Sequence, residues 1–162
     1  MSRAFVKEDS DAPPPPPIER PVSSAPNLVT PRGAWLIAAE VARLEAALAA
    51  GAEEAEAALL RRNLRYWTVR RASAQLRRPN PAPATAGFAT RVMIRRGGAL
   101  SEIAIVGEDE ADPATGKIAW TSPLARAIDG AEPGETAELA AGGRTEMVGI
   151  VAVAPLEDDT TA

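Results

Sequence analysis

The sequence predicts an α+β protein: an N-terminal antiparallel α-helical hairpin, followed by a small antiparallel β domain with one short helix. Three observations lead there. Apolar residues recur at spacings of four, three and four from Ile37 through Val41 and Leu44 to Leu48, the seam of a coiled coil. From residue 87 onward the apolar period changes to two. Prolines at 79, 81 and 83 separate these two regimes.

Residues 1–29 read as a disordered Pro-rich leader. They hold the run Pro13 to Pro17, further prolines at 21 and 26, and few large apolar residues. A coiled-coil hairpin is expected over 30–78. Thr30-Pro31 opens it: threonine caps free amides, and proline at the first helical position gives up an amide that had no partner. Gly51 breaks the pattern. A second helix is expected from Ala52 or Glu53 to about Arg78, with Leu60, Leu64, Trp67, Arg71 and Ala74 as its seam. Trp35, Tyr66 and Trp67 are assigned to seam and base packing.

After a linker over 79–85, residues 86–154 form the β domain. Val92 and Ile94 alternate inward between Thr90 and Arg95, and Gly97-Gly98 supplies a turn. Leu100, Ile103, Ile105 and Val106 make the next strand, and Lys117 to Thr121 a third. Ser122-Pro123 opens a short helix that Gly130 closes. Thr136 to Ala140 and an apolar strand from Met147 to Val153 complete the sheet. A core of about 70 residues is near the lower limit for independent stability. Residues 155–162 form an acidic tail, expected to be frayed at Glu157-Asp158-Asp159.

Composition excludes much chemistry. With no cysteine and no histidine there is no thiolate, no Ser-His or Cys-His pair and no Cys/His zinc site. No catalytic residue, metal or cofactor is assigned. No apolar run approaches the roughly 20 residues that span a bilayer, and no signal-peptide core opens the chain, so a cytoplasmic protein is expected. The net charge of −4 conceals segregation: residues 57–101 carry ten arginines and no acid, whereas 102–162 carry thirteen acids against three bases. Two faces of opposite charge suit a binding protein.

Four acids crowd Glu108-Asp109-Glu110-Ala111-Asp112. One loop of carboxylates makes a poor cation cage, so it is read as an acidic turn or recognition surface. The run IVGEDEADPATGKIAWTSPLARAIDG, from Ile105 to Gly130, resembles the paired motifs of the GreA/GreB transcription elongation factor family: an IVG-x-DEAD stretch, then I-S-x-x-SPLARAL-x-G. Matching positions include Ile105, Val106, Gly107, Asp109 to Asp112, Gly116, Ile118, Ser122 to Ala127 and Gly130. The resemblance covers about 86–154. It implies an FKBP-like domain that docks on bacterial RNA polymerase at the secondary channel, without isomerase activity. Asp109, Glu110, Asp112, Ser122, Pro123 and Arg126 are the expected docking residues and their support.

The hairpin resembles the family's coiled coil more loosely, through Thr30-x-x-Gly33 and the basic run Arg61-Arg62-x-Leu64-Arg65. Cleavage-stimulating members carry a tip of the form G-D-L-x-E-N-A-x-Y. Here the tip is Gly51-Ala52-Glu53-Glu54-Ala55-Glu56-Ala57, with neither Asp nor Tyr, and the first helix is shorter by roughly two heptads. Glu53, Glu54 and Glu56 therefore read first as acids favoured at a helix start, with an electrostatic role at the tip as the alternative. Arg61, Arg62, Arg65, Arg70 and Arg71 form a basic helix face. The resemblance places that face near RNA or DNA of the elongation complex; contact with polymerase and pairing with the chain's own acids remain open beside it.

The leading expectation is a monomeric, non-enzymatic, polymerase-binding elongation factor acting at the secondary channel. The alternative is the Rnk-like subgroup, the nucleoside diphosphate kinase regulators, which resemble this chain in their short hairpin and compete with cleavage factors without stimulating cleavage. A proline isomerase would need an aromatic-lined pocket, for which the domain offers only Phe88 and Trp120. A purely structural dimerising hairpin is the remaining class.

Overall fold

A computed structural model describes residues 18–157. The Pro13–Pro17 run and Asp158-Asp159 lie outside the described residues.

The chain enters through a two-residue strand, β1 (Leu28–Val29), inside the segment read as leader. Helix α1 (Pro31–Ala49) follows, capped by Thr30, whose hydroxyl accepts from the Gly33 amide at 2.9 Å. Its seam residues Ile37, Val41 and Leu44 are buried against helix α2 (Glu54–Ser73). Gly51 turns the chain between them at φ +85°, the left-handed region that favours glycine.

Two helical expectations need correction. Trp35 is 48% exposed, not packed in the seam. It precedes Ile37 by two residues, which puts roughly 200° between their directions around the helix. The second helix ends at Ser73, five residues before the expected Arg78, and the chain continues extended as β2 (Gln75–Leu76). The terminator is Asn27, whose buried side-chain amide donates to the Arg70 carbonyl at 2.7 Å and to the Ser73 hydroxyl at 3.2 Å. The Gln75 and Arg77 amides then donate to the Asn27 and Val29 carbonyls, making β1 and β2 a parallel pair.

The β domain is a five-stranded sheet in the order β5-β4-β3-β7-β6. Strands β3 (Thr90–Arg96) and β4 (Ala99–Val106) form a hairpin. A 3₁₀ turn (Pro113–Thr115) leads into β5 (Lys117–Ala119), which runs parallel to β4, the one departure from antiparallel pairing within this sheet. Helix α3 (Pro123–Ile128), capped by Ser122, crosses the core face. Strands β6 (Thr136–Ala141) and β7 (Arg144–Pro155) close the sheet.

The core gathers Val92, Ile94, Ile103, Ile105, Leu139, Val148 and Ile150 against Ala125 and Ile128 of α3. Met93 pairs with Ala152 and Ile94 with Ile150, so Val151 is the extra residue of a β-bulge. Without it, Ile150 and Val153 would point to opposite faces, because side chains alternate along a strand. Leu100 lies in β4 as expected but is 55% exposed, because it pairs with Arg95 on the outer face. Among the described residues no helix is long and apolar enough to cross a membrane.

Candidate docking site at the hairpin junction

Strand β4 ends at Val106, and the residue type at Gly107, which follows it, is fixed by contact. A Cβ at Gly107 would lie 2.6 Å from the Leu28 carbonyl oxygen, closer than atoms can approach. Glycine therefore lets β1 lie against the end of β4, and brings the hairpin base to the acidic loop.

The loop then delivers three carboxylates to three places. Asp109 accepts from the Tyr66 hydroxyl at 2.6 Å and from Arg70 Nε. Glu108 takes Arg70 Nη2 at 3.2 Å on one oxygen and the Thr121 hydroxyl at 3.1 Å on the other. Glu110 accepts from the Thr30 hydroxyl, the group that caps α1. Asp109, Glu110 and Glu108 all bond across to the hairpin, and Glu108 also bonds within the β domain to Thr121 at the threshold of α3. Arg70 is 1% exposed and Glu110 7%. Burial, followed by the hydrogen bond to and charge of Asp109, pushes the Tyr66 phenol up to about 12.

The expected docking residues therefore separate. Asp109 and Glu110 are turned inward and hold the hairpin. Asp112 is exposed; it caps the 3₁₀ turn through the Ala114 amide at 3.2 Å and bridges to Lys117 through backbone bonds. Ser122 spends its hydroxyl on the Ala125 amide, while Pro123 and Arg126 face solvent on α3. The Glu108–Thr121 bond ties the two motif segments together. Beside α3 a cavity of about 270 Å³ is lined by Phe88 and Trp120, with Arg126 and Asp129 also in its wall.

The arginine face divides as well. Arg70 is an internal partner of the acidic loop. Arg71, expected in the seam, is exposed and makes no ion pair among the described residues, one position round the helix from Arg70. Arg61 pairs with Glu54 at 3.1 Å, Arg65 pairs with Glu19, and Arg62 donates to the Ile18 carbonyl at 3.3 Å. Glu53 precedes α2 without a side-chain capping bond, and Glu53, Glu54 and Glu56 are all exposed at the tip. Among the described residues no group of three carboxylates is arranged to hold a metal ion.

Glu108, Tyr66 and Thr30 were not singled out by sequence as site residues. The acid-free arginine run opposite an arginine-poor acidic loop was the available signal for their pairing.

The junction and the sheet fall within, or directly against, one matched stretch. Residues 82–155 match the family model "Transcription elongation factor, GreA/GreB, C-term". Residues 82–155 belong to the GreA/GreB family. Within the curated relatives, the transcription elongation factor GreA of Hyphomonas neptunium is 65% identical over 37 residues, 23% of this chain and 24% of its own. GreA of Neisseria meningitidis serogroup A is 53% identical over 49 residues, 30% of this chain and 31% of its own. The alignment thus spans about a quarter to a third of the length of these GreA relatives. The crystal structure of GreA factor homolog 1 (Gfh1) of Thermus thermophilus aligns with 80% of this chain and 99% of its own, at TM-score 0.39 and 16% identity. That superposition is too loose to compare positions. The GreA/GreB domain is preceded here by a helical hairpin, in the α+β order expected from sequence.

Proposed function

We propose that the chain is a non-enzymatic, monomeric factor that binds bacterial RNA polymerase in the cytoplasm and acts at the secondary channel during elongation. The observation that carries this reading is the GreA/GreB domain over 82–155. Asp112, Pro123 and Arg126 are exposed and form the docking surface, with Arg126 in the wall of the Phe88–Trp120 cavity. Ser122 supports it by capping α3, and Asp109 and Glu110 support it by fixing the hairpin relative to the sheet. An apolar cavity with an adjacent charged pair suits a partner that inserts one apolar side chain.

The hairpin favours the second reading, a Rnk-like competitor that occupies polymerase without stimulating cleavage. Helix α1 has 19 residues, about 28 Å at 1.5 Å per residue, and its tip carries neither Asp nor Tyr.

A pull-down of polymerase core by the full chain tests the reading. Wild type is expected to retain polymerase, and Pro123→Ala/Arg126→Glu to retain at least tenfold less, the loss typical of a central interface pair. No retention by wild type would defeat the polymerase reading; equal retention by the double variant would defeat the assignment of the docking surface.

A further inference from the structure

The N-terminal segment does not leave the hairpin at its base. Contacts run in step along α2: Ile18 against Arg62, Glu19 against Arg65, Arg20 against Tyr66 and Trp67, and Asn27 against Arg70 and Ser73. The guanidinium of Arg20 lies 3.7 Å from the Tyr66 ring centroid and 5.5 Å from that of Trp67, two rings set edge to face. The Arg65 hydrogen bond holds the Glu19 carboxyl below its ordinary range, so this pair is ionised at neutral pH. Among the described residues Arg62 Nε is closed to solvent without a hydrogen-bond partner, while its Nη1 reaches the Ile18 carbonyl. The segment from Ile18 to Asn27 thus touches, at both ends, the helix that carries the arginine face.

We propose that Ile18–Arg20 is a displaceable cover on the Arg62–Arg65–Tyr66 face of α2, and that this face receives an acidic protein surface once the cover lifts. The inference rests on the polymerase reading for the identity of that surface, but the cover is a property of this chain alone. Its contacts are of the kind that yield: an exposed ion pair, one main-chain bond and a cation over a ring, each weak in water. Glu19 occupies Arg65 as a partner's carboxylate would, and the Arg20 side chain covers the Tyr66 ring face and anchors Glu19 in place. Binding to the face therefore requires the uncovered fraction, and apparent affinity falls by that fraction.

Charge alone and the cover predict opposite signs for one substitution. Arg20→Ala removes a positive charge, so charge alone predicts weaker retention on a polyanion. The cover predicts stronger retention, because Arg62 and Arg65 are released. The full chain is applied to immobilised heparin as a generic polyanion and eluted with salt. Arg20→Ala is expected to elute later than wild type. Glu19→Gln is expected to elute later than Glu138→Gln, which makes the same charge change on exposed β6. In an Arg62→Gln/Arg65→Gln background Glu19→Gln is expected to add no more retention than Glu138→Gln, and Arg20→Ala to add none. Against RNA polymerase core, Arg20→Ala and Glu19→Gln are expected to bind about threefold to tenfold more tightly than wild type. Earlier elution of Arg20→Ala, with Glu19→Gln no later than Glu138→Gln, would overturn the cover. Later elution with no polymerase binding by any variant would uphold the cover and defeat the polymerase reading. Polymerase binding unchanged by both substitutions would overturn the cover's role while leaving that reading intact.

Discussion

The Arg70 guanidinium lies against the Asp109 carboxylate across the junction of hairpin and sheet, with only 2% and 8% of the two side chains exposed. Glu108 shares the same guanidinium, and Tyr66 shares the same carboxylate. A buried cation with two acids is held by geometry: losing one partner leaves uncompensated charge away from water.

Arg70→Ala is therefore expected to destabilise the chain by about 3–5 kcal/mol. At this chain length that lowers the melting temperature by about 10 °C. Arg71→Ala, one residue on, is expected to change stability by no more than about 0.5 kcal/mol. Thermal melts followed by circular dichroism compare the two; equal melting temperatures would show that Arg70 is not the buried partner.

How much of this was legible follows from where the signals sit. Both proline-opened helices could be read locally, because Thr30 and Ser122 carry their caps within three residues. The sheet could be read from its alternation. The end of α2 could not: its terminator, Asn27, lies more than forty residues upstream, and the prolines begin only at 79. Nor could composition choose Arg70 over Arg71. Neighbouring helical positions differ by about 100° in direction, and the acidic loop rather than the opposite helix decides which is buried. The carboxylates at 109 and 110 looked like surface because acids usually are; pairing with Arg70, Tyr66 and Thr30 makes their burial tolerable.

Tyr66 is the chain's one tyrosine, so its ionisation can be followed by phenolate absorbance without interference. Its folded pKa is raised from 10 to about 12. The neutral phenol is the form that the fold favours, so this stabilisation is whole below pH 10 and is lost as pH rises from 10 through 12. Because the ring is only partly buried, the contribution is discounted to about 1 kcal/mol. Titration is expected to give a midpoint near 12 in the native protein and near 10 in urea. A native midpoint near 10 would show that the Asp109 bond does not persist in solution.

Gly107→Ala tests the close approach of β1. The new Cβ would meet the Leu28 carbonyl oxygen at 2.6 Å, a backbone atom that can move only by shifting the strand. Overpacking of this kind costs typically 1–3 kcal/mol. Gly130→Ala is the control for a glycine with positive φ and open space around its Cβ position. The Gly107 variant is expected to speed hydrogen exchange at the Gln75 and Arg77 amides, which bond to the β1 segment, while the Gly130 variant is not. Unchanged exchange in Gly107→Ala would mean that β1 does not rest on the glycine.

Transcript cleavage in backtracked polymerase complexes is expected to stay at the enzyme's own rate when this chain is added. A carboxylate assists a metal ion only by direct coordination or through one bridging water, so reach decides before chemistry does. The tip carboxylates follow a first helix of only 19 residues, and Glu54 is engaged by Arg61 at 3.1 Å. Ala52→Asp would restore an aspartate next to Gly51, yet is expected to leave cleavage unstimulated, because it adds no length. Two added heptads in each arm would extend the hairpin by about 21 Å. Only the lengthened hairpin carrying the aspartate is expected to stimulate cleavage, and wild type is expected to inhibit a longer cleavage factor by competition. Robust cleavage by wild type, abolished by Glu53→Ala or Glu56→Ala, would show that the present tip already reaches the metal. The short hairpin would then be an acting cleavage arm rather than an occupant of the channel.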